Sequence, residues 1–511
     1  MPLVKIKSAL ISVFSKEGLE PIVREFERLG IIMYSTGGTQ KFIEALGISV
    51  NSVEDMTGYP AILDGRVKTL HPTVFGGLLA RRETGHLAEL ERYDIPEIDC
   101  VVVDLYPFED TVATSNNHQE IIEKIDIGGI SLIRAAAKNY HDVVVVASQS
   151  DYITLLNLLR EQNGFTRNDD RKYFARRAFS VSSHYDTAIF NYMMRDAPED
   201  TKPVFKQSLE HSEVLRYGEN PHQKAVFFGN LDDLFVTLNG KTLSYNNLVD
   251  VDAAVQLMRE FRHADPTFAI LKHTNACGIA TRPTLKEAWD AALAADPISA
   301  FGGILICNST IDLATAEGIN NLFYEVLIAP DFQADALQLL KSKKTRILLK
   351  IKDFHVNSVA FKSLLNGVIQ QDADLVTEEL SDLNIVTETR PTDTESADLL
   401  YAIKCVKHLK SNGIAIVKGG QLLAMGCGQT SRVDSLQSAL AKAAHFGFDV
   451  QGAVMASEAF FPFPDCVEIA HKAGISAVAQ PGGSVKDQLS IDFCNQHNVA
   501  MVMTGTRHFK H

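Results

Sequence analysis

Two segments near the start of the chain concentrate residue types that can bind a phosphate group. The segment Ser35–Thr39 (STGGT) combines two glycines, which let the backbone approach a ligand closely, with hydroxyls that donate hydrogen bonds. It lies between a predicted strand and a predicted helix, so the helix N-terminus would favour a negative charge there. The segment matches neither the P-loop nor the dinucleotide fingerprint. A tight turn that caps the helix is therefore the alternative to a phosphate site.

The second segment is Gly65–Pro72 (GRVKTLHP). It holds two cations, a hydroxyl and an imidazole within eight positions. So many hydrogen-bond donors in one segment can bind a phosphate and polarise a carbonyl. The alternative is a solvated basic loop without a ligand.

Three further residues of the first half could move protons. Tyr106 follows the apolar run Cys100–Val103, and open α/β sheets bind ligands beyond the carboxyl ends of their strands. Asp126 precedes two glycines that open a predicted helix, and Lys138 lies further along that helix. An acid and a lysine that share a site shift each other's pKa values towards proton transfer. The alternatives are a buried structural tyrosine and two surface charges.

In the second half, Lys272 and His273 end a predicted strand just before Asn275. An imidazole base beside an ammonium group can remove a proton from a weak amine nucleophile and steady an oxyanion. A coincidental surface pair is the alternative. His508 and His511 lie close together at the end of the sequence, but no companion ligands accompany them and the zinc-deaminase pattern is missing. The sequence therefore predicts no catalytic metal.

The elements that must position these residues follow from the apolar pattern. In residues 1–195, strand-like apolar runs alternate with stretches of helical spacing, which predicts an α/β fold with an open parallel sheet. The predicted strands are Ile6–Phe14, Ile31–Tyr34, Cys100–Val103 and Val143–Ala147. Helical spacing from Leu19 to Leu29 ends at Gly30, which is typical of a helix end. Residues 196–211, with two prolines and mixed charge, are the predicted linker.

Residues 212–511 repeat one order of features. A strand, a lysine, a Cys-Gly pair, a helix and a Ser-Ala-Phe or Ser-Glu-Ala-Phe segment follow one another from Phe268 to Phe301, and again from Ile414 to Phe460. An internal duplication of two similar subdomains would produce this order, and so would chance recurrence of common residues. We expect the boundary between the subdomains at about residues 365–395.

Composition narrows the classes of partner. The chain has 511 residues, and 49 Lys and Arg against 63 Asp and Glu give a net charge of −14. Such a surface repels nucleic acid and anionic membranes, although a few basic side chains in one cleft still bind a small anion. Seven cysteines without a C-x-x-C pair favour a reduced compartment, and the first apolar run reads as a buried strand rather than a signal peptide. We expect a soluble, cytoplasmic protein without a membrane span.

The motifs, taken in order, resemble those of one family. GRVKTLHP, IDIGG, RAAAKN, RYGENPHQ, DPISAFGG, SRVDS and FFPFPD occur in that order. They are similar to the motifs of bifunctional purine-biosynthesis proteins that are both phosphoribosylaminoimidazolecarboxamide (AICAR) formyltransferase and inosine-5′-monophosphate (IMP) cyclohydrolase. No single motif establishes the resemblance, which extends from Ser12 to His511.

The resemblance implies a fold and a reaction sequence. Residues 1–195 would form a methylglyoxal-synthase-like, Rossmann-like cyclohydrolase domain, and residues 212–511 a transformylase region of two cytidine-deaminase-like α/β subdomains. The cosubstrate 10-formyltetrahydrofolate would formylate the 5-amino group of AICAR, and formyl-AICAR would close to IMP with loss of water. The family is homodimeric, with transformylase sites shared between subunits. A bound monovalent cation is compatible with this interpretation, but the sequence does not identify its ligands.

The resemblance also implies roles for individual residues. Those implied for ring closure are Lys68, Tyr106, Asp126 and Lys138. Those implied for binding the phosphate and ribose of the same substrate are Ser12, Lys16, Ser35, Thr36, Gly37, Gly38, Thr39, Arg66 and Thr69. In the transformylase, Lys272 and His273 would be the catalytic pair and Asn412 would bind the formyl oxygen. Those implied for binding the nucleotide or folate, or for shaping that site, are Arg216, Tyr217, Asn247, Phe301, Gly302, Arg432, Asp465, Arg507 and His511.

The sequence departs from the family pattern at three places. Phe14-Ser15 stands where Ser-Asp usually precedes Lys16, Ala276 replaces the proline of Asn-Pro-Cys, and Cys427 occupies a position of small residues. None removes a residue assigned to chemistry.

Two other functions compete with this interpretation. One is a transformylase whose first domain only binds a nucleotide, and the other is a non-catalytic sensor of nucleotide or folate. The four ring-closure residues argue against the former, and the Lys272-His273 pair argues against the latter.

Overall fold

The computed structural model describes residues 3–63, 65–198, 200–354 and 356–511. The chain divides into two units, Met1–Glu210 and His211–His511. In both units, apolar strands alternate with amphipathic helices, a pattern that favours sheets covered by helices on both faces. None of the described helices is long and apolar enough to cross a membrane.

A parallel sheet lies at the centre of the first unit. The described strands of this unit are β1 Val4–Lys5, β2 Ser8–Ser12, β3 Ile32–Ser35, β4 Asn51–Ser52, β5 Cys100–Val103, β6 Val144–Val146 and β7 Phe165–Thr166. Five of them form a sheet in the order β4-β3-β2-β5-β6, with every neighbouring pair parallel, while β1 and β7 form an antiparallel pair. The predicted open parallel sheet is confirmed.

Helices cover both faces of this sheet. They are α1 Glu20–Arg28, α2 Gly37–Ala45, α3 Val53–Thr57, α4 Pro72–Leu79, α5 Thr84–Arg92, α6 Phe108–Thr114, α7 His118–Ile122, α8 Gly128–Lys138, α9 Tyr152–Glu161 and α10 Asn168–Met193. One apolar cluster packs against α1 and α9 and another against α4, α8 and α10. Helix α1 ends just before Gly30, whose φ of 68° is the left-handed conformation that glycine adopts readily.

The second unit contains more strands. They are β8 Ser212–Leu215, β9 Ala225–Phe228, β10 Phe235–Asn239, β11 Thr267–Lys272, β12 Asn275–Thr281, β13 Ile304–Cys307, β14 Val326–Ala329, β15 Ile347–Ile351, β16 Val359–Leu364, β17 Gly367–Asp372, β18 Asn384–Ile385, β19 Ile414–Val417, β20 Leu422–Gly426, β21 Val454–Ser457, β22 Ala477–Gln480 and β23 Ala500–Met503. Its helices are α11 Tyr245–Arg259, α12 Leu285–Ala295, α13 Leu313–Asn320, α14 Ala334–Lys341, α15 Asp393–Lys407, α16 Arg432–His445, α17 Asp465–Lys472 and α18 Asp487–Gln496.

Two six-stranded sheets of the second unit have the same topology. Their strand orders are β10-β15-β14-β13-β11-β12 and β18-β23-β22-β21-β19-β20. One apolar core contains residues of both sheets together with α11 and α15. Helices α12–α14 pack on the other face of the first sheet, and α16–α18 on the other face of the second. The predicted duplication is therefore confirmed.

The duplication extends to the register of the strands. The β11–β12 hairpin shifts register between Ile270 and Leu271, and the β19–β20 hairpin shifts between Ile416 and Val417. Lys272 and Lys418 follow directly after these steps, so they occupy equivalent positions.

The other parts of the repeated sequence pattern are not equivalent. Cys277 lies within β12, whereas Cys427 follows the last residue of β20. Ser299 precedes β13, whereas Ser457 ends β21. The sequence pattern therefore pairs Cys277 with Cys427 and Ser299 with Ser457 wrongly. Equivalent positions are determined by strand pairing, not by residue type.

Two hairpins of the second unit, β8–β9 and β16–β17, pair with no other described strand. All residues of β16 and β17 are exposed, and the two strands form a two-stranded sheet. The β16–β17 hairpin carries exposed apolar side chains such as Val368 and Ile369. A cavity of about 590 Å³ is lined by this hairpin, α11 and Phe509. A two-stranded hairpin alone is marginally stable in water, so a further covering surface would stabilise it.

The close approach of β12 to α12 depends on Gly278. A Cβ at this position would lie 2.0 Å from the Ala292 carbonyl oxygen. We expect Gly278→Ala to force strand and helix apart and to lower the free energy of unfolding by about 2–3 kcal/mol. Gly367→Ala is the matched control, because a Cβ there meets nothing within 4 Å. Urea unfolding followed by circular dichroism measures both, and equal midpoints would contradict the prediction.

Candidate active sites

A cavity of about 1090 Å³ lies in the first unit, at the carboxyl ends of β2, β3 and β5. Open α/β sheets bind ligands at this edge. Ten of the residues expected to bind or convert the first unit's substrate line the cavity. They are Ser12, Lys16, Thr36, Gly38, Thr39, Arg66, Lys68, Thr69, Tyr106 and Asp126.

One part of the cavity is cationic. Helix α2 begins at Gly37, so its unpaired N–H groups and the positive end of its dipole lie here. A Cβ on Gly38 would lie 3.9 Å from Lys16 Nζ, and one on Gly37 would lie 3.7 Å from Lys68 Nζ. Both ammonium groups therefore lie beside the helix N-terminus, an arrangement that can bind a phosphate.

Some hydroxyls of this region lie at the cavity wall, and others hold the neighbouring loop and strands in place. Ser12 Oγ and Thr36 Oγ1 lie 3.1 Å apart at the cavity wall. Thr39 Oγ1 donates to the Val13 carbonyl at 2.9 Å and holds the loop after β2. Ser35 is fully buried and donates to a carbonyl of β2 at 2.8 Å, so it joins two strands instead of lining the cavity.

Another part of the cavity carries Tyr106 and Asp126. Burial raises the pKa of the Asp126 carboxyl, although the Gly129 N–H donates to its Oδ1 at 2.6 Å. Burial, together with the charges of Asp126 and Asp104, raises the pKa of the Tyr106 hydroxyl. A carboxylate with a raised pKa is a stronger base than an ordinary aspartate, and Tyr106 keeps its proton at neutral pH.

Asp104 and Glu123 line the cavity but lie outside the predicted set. Asp104 accepts the N–H groups of Phe14 and Ser15, the latter at 3.0 Å, and thereby shapes the loop that leads to Lys16. Burial raises the pKa of the Asp104 carboxyl. Its position directly after β5 is the signal that could have identified it.

The structure separates Lys138 from the other ring-closure candidates. It ends α8, whose first residue, Gly128, lines the cavity. Ten steps along a helix correspond to roughly 15 Å. The exposed Lys138 lines a second depression with Arg81, Asn139 and His141. Its part in ring closure stays a prediction.

In the second unit, His273 and Thr274 form the turn between β11 and β12. Their φ values of 50° and 65° are left-handed, which is unfavourable for histidine and more so for β-branched threonine. Asp250 Oδ1 accepts the Thr274 N–H at 2.8 Å, and Asn275 Nδ2 donates to the His273 carbonyl at 2.9 Å. Strained turns that persist in this way concentrate at functional sites.

Lys272 brings two more predicted residues to this turn. Its Nζ donates to the Phe301 carbonyl at 2.8 Å. The Phe301 ring is 58% exposed and packs against Phe323 with ring centroids 5.0 Å apart. The Gly302 N–H donates to the Phe323 carbonyl at 2.8 Å. An exposed aromatic pair beside an ammonium group offers a surface for a planar ring.

Asn412 is held by Arg432. Arg432 Nη2 donates to Asn412 Oδ1 at 2.9 Å, and Arg432 Nη1 pairs with Glu458 at 2.6 Å. Asn412 Nδ2 donates to the Gln429 carbonyl at 3.0 Å, and its second amide hydrogen can serve a ligand. Arg432 is buried among these groups, so the contacts give it a positioning role toward Asn412.

The last residues of the chain lie beside Asn412. Ser411 N–H donates to the Lys510 carbonyl at 3.0 Å. This contact brings the segment with Arg507 and His511, both exposed, to the Asn412 loop.

A sulfur contact joins the His273 turn to the Asn412 loop. Cys427 Sγ donates to Asn275 Oδ1 at 3.3 Å, and the Asn412 N–H donates to the Gln429 carbonyl at 3.4 Å. The imidazole-bearing turn and the amide are therefore neighbours, although 139 positions separate them (412 − 273 = 139).

The remaining predicted residues have structural contacts of their own. The Arg216 guanidinium lies over the Tyr217 ring at 5.6 Å. Asn247 is buried near the start of α11, where its Oδ1 accepts from Ser244 at 2.9 Å. Asp465 is the first residue of α17. Within the described residues, no three His, Cys, Asp or Glu side chains are grouped as a metal site requires.

Comparisons with known proteins cover nearly the whole chain. The family model described as AICARFT/IMPCHase bienzyme matches residues 136–442, and that of the MGS-like domain matches residues 18–131. The bifunctional purine biosynthesis protein PurH of Bacteroides thetaiotaomicron is 58% identical, over 99% of this chain and 99% of the relative. The proteins of the same name from Acetivibrio thermocellus and Aquifex aeolicus are each 45% identical, over 99% and 98% of this chain and the full length of the relatives.

His508 couples the C-terminal segment to pH. Burial lowers the pKa of this imidazole, but hydrogen bonds to Asp374 at 2.6 Å and Glu378 at 2.8 Å outweigh it and raise the pKa to about 9. A raised pKa stabilises the fold fully below the unfolded value of 6.5, and this contribution is lost as the pH rises through about 9. We expect the melting temperature of His508→Gln to change less with pH between these values than that of the unsubstituted protein. His263→Gln, at an exposed position, is the control. Parallel melting profiles for His508→Gln and the unsubstituted protein would count against the ion cluster.

Proposed function

The chain belongs to the family of AICARFT/IMPCHase bienzymes, and on that premise we propose how its residues share the family's two reactions. It is a bifunctional enzyme of purine biosynthesis with AICAR formyltransferase and IMP cyclohydrolase activities. We assign the cyclohydrolase to residues 1–195, a linker to residues 196–211 and the formyltransferase to residues 212–511. The formyl donor is a folate, and we propose that it is 10-formyltetrahydrofolate.

The cationic part of the first cavity would hold the phosphoribosyl group of formyl-AICAR. Lys16 and the N-terminus of α2 supply positive charge, and Arg66 lines the same space. Hydroxyls at Ser12 and Thr69 can bind the ribose and the phosphate oxygens. Charge-assisted hydrogen bonds of this kind fix the substrate for the chemistry beside it.

Ring closure needs two proton transfers. The carboxamide nitrogen bonds to the formyl carbon and gives up one proton, the formamide nitrogen gives up a second, and the formyl oxygen leaves as water. We assign Asp126 as the base, Tyr106 as the donor to the departing oxygen, and Lys68 as the group that steadies the oxyanion. The observation that carries this assignment is that an acid and a phenol with raised pKa values share one cavity with the cations.

Formyl transfer takes place in the second unit. The 5-amino nitrogen of AICAR bonds to the formyl carbon, the bond from that carbon to folate N10 breaks, and a proton moves from the amine to N10. His273 would accept the proton, Lys272 would assist the departure of N10, and Asn412 Nδ2 would bind the formyl oxygen. The amine is a weak nucleophile because its lone pair is delocalised, so orientation must supply much of the rate.

The other predicted residues of this site would bind substrate around the reacting atoms. The exposed ring of Phe301, with Gly302, would pack against a planar part of the nucleotide or folate. Arg507 would bind an anionic group of either ligand. The other residues that would bind the ligands or shape the site are Arg216, Tyr217, Asn247, Asp465 and His511. Arg432 would act through Asn412 instead of touching substrate.

Paired variants separate the two activities. His273→Ala is expected to lower tetrahydrofolate formation from AICAR and 10-formyltetrahydrofolate by about 10²–10⁴-fold, since the amine loses its base. It should leave the conversion of formyl-AICAR to IMP unchanged. Asp126→Asn should do the reverse. Steady-state assays of both reactions on both proteins measure this.

Each of these variants is the other's control. A formyl transfer rate unaffected by His273→Ala would refute the assignment in the second unit. A full ring-closure rate in Asp126→Asn would refute the assignment of Asp126 as the base. Lys138→Leu belongs in the same series, since a full ring-closure rate there would remove Lys138 from the chemistry.

We propose that the chain acts as a homodimer in the cytoplasm, on small-molecule substrates. The hairpin β16–β17 supports a dimer, because its exposed apolar side chains and isolated strand pairing call for a covering surface. A second copy of the chain is the partner that the family resemblance implies. The formyl transfer site would then be completed across the dimer.

A charged residue on the hairpin tests this dimer. Ile369→Glu is expected to shift the protein to monomers in sedimentation experiments at micromolar concentration, because an apolar contact becomes a buried charge. Formyl transfer should fall with the dimer, while ring closure persists. Ile153→Glu, at an exposed position of α9, is the control. A dimer of unchanged stability in Ile369→Glu would place the interface elsewhere.

A further inference from the structure

The duplicated fold offers an internal reference for the His273 turn. The equivalent turn, between β19 and β20, contains Gly419 and Gly420 with φ values of 60° and 65°. His273 and Thr274 adopt nearly the same values, 50° and 65°. Glycine takes this conformation without steric penalty, whereas histidine and threonine do not. The first hairpin therefore places two unsuited residues in a turn that its counterpart builds from glycines.

The lysines before the two turns confirm the correspondence. Lys272 Nζ donates to the Phe301 carbonyl at 2.8 Å, and Lys418 Nζ donates to the Gln451 carbonyl at 2.6 Å. Each acceptor lies three positions before the next strand of its sheet, β13 or β21. The two hairpins therefore share their side-chain anchoring as well as their backbone.

An aspartate on the neighbouring core helix holds each turn. Asp250 is the sixth residue of α11, and Asp398 is the sixth residue of α15. Asp398 accepts the N–H groups of Gly419 and Gly420 at 2.7 and 2.8 Å. Asp250 accepts the Thr274 N–H at 2.8 Å. In both hairpins a helix carboxylate thus binds backbone N–H of the left-handed turn, a concavity of the kind that binds anions.

We propose that Asp250 is a positioning residue for formyl transfer, because its carboxylate holds the His273-Thr274 turn in the left-handed conformation that aims the imidazole. The inference rests on the proposed role of His273. Asp250 lies next to the histidine itself, since the charge of His273 lowers the carboxyl pKa that burial raises. Without the carboxylate, the turn would relax towards conformations that histidine and threonine prefer, and the base would move away from the amine.

Asp398 performs the same task at a turn without an assigned reactive side chain. Arg282 covers that turn, with Nη1 donating to the Gly419 carbonyl at 2.9 Å and Nη2 to Gln421 Oε1 at 2.6 Å. The residue equivalent to Arg282 is Gly428, ten positions after Lys418 as Arg282 is after Lys272. The His273 turn thus has no counterpart of this arginine. Asp398 is therefore a matched control for the loss of a turn-holding carboxylate.

The test compares Asp250→Ala with Asp398→Ala in the full-length protein. Asp250→Ala is expected to lower kcat for formyl transfer by about 10- to 100-fold, with KM for AICAR within about twofold. Asp398→Ala should leave kcat within about twofold of the unsubstituted protein, although its melting temperature should fall at least as much as that of Asp250→Ala. Ring closure of formyl-AICAR should be unchanged in both variants, which shows that the first unit is intact.

Thr274→Gly supplies a readout that loss of stability alone would not move. Glycine adopts the left-handed turn without the carboxylate, so Thr274→Gly should restore part of kcat in the Asp250→Ala background. If Asp250→Ala does not fold, Asp250→Asn takes its place. It keeps an acceptor but forms a weaker hydrogen bond, so kcat should fall about threefold or more and recover with Thr274→Gly.

Three results would overturn the inference. They are an unchanged kcat in the folded Asp250 variant, an equal loss of kcat in Asp398→Ala, and the absence of recovery with Thr274→Gly. His273→Ala, assayed alongside, separates this inference from the proposed function. If His273→Ala keeps its rate, the role of His273 fails and the inference with it. If His273→Ala loses its rate and Asp250→Ala does not, only the inference fails.

Discussion

The burial of both sheet faces is the constraint on which the rest of the structure depends. Helices cover the two faces of each large sheet, so a reactive side chain reaches solvent where a strand ends or turns. The first cavity lies at the carboxyl ends of three parallel strands, and His273 lies in a turn that ends β11. Asn412 precedes β19 by two positions. Rigid sheets therefore fix the origins of the loops that carry the chemistry.

Much of the fold could be predicted from the sequence, because buried parallel strands read as short apolar runs with clear limits. Cys100–Val103 and Ile414–Val417 are strands with the bounds that their apolar runs suggest. Ser12, Thr36 and Tyr106 line one cavity for a similar reason, since the carboxyl ends of neighbouring parallel strands meet at one edge. The duplication could be inferred, but its alignment could not. The Cys-Gly pairs and the serines of the two repeats stand at different distances from their strands, so these matching residue types do not occupy equivalent positions.

The rest of the site depends on contacts between distant parts of the chain. Nothing in the sequence around Arg432 distinguishes a ligand-binding arginine from one buried against Glu458 that orients Asn412. Asp104 and Asp250 act through backbone N–H groups of segments far from them in sequence, and such partners become visible only in the folded chain. Lys138 shares a helix with the cavity-lining glycine, but helical rise carries it to the far end.

The contact of Arg282 with the second hairpin has a consequence for stoichiometry. The fold alone, with two sheets of the same topology, would offer two related turns on each chain. A guanidinium occupies the space beside one of them, while glycine stands at the matching position beside the other. Were a nucleotide to bind at the His273 turn, as proposed above, Arg282 would limit such binding to one turn per chain, because it covers the equivalent turn.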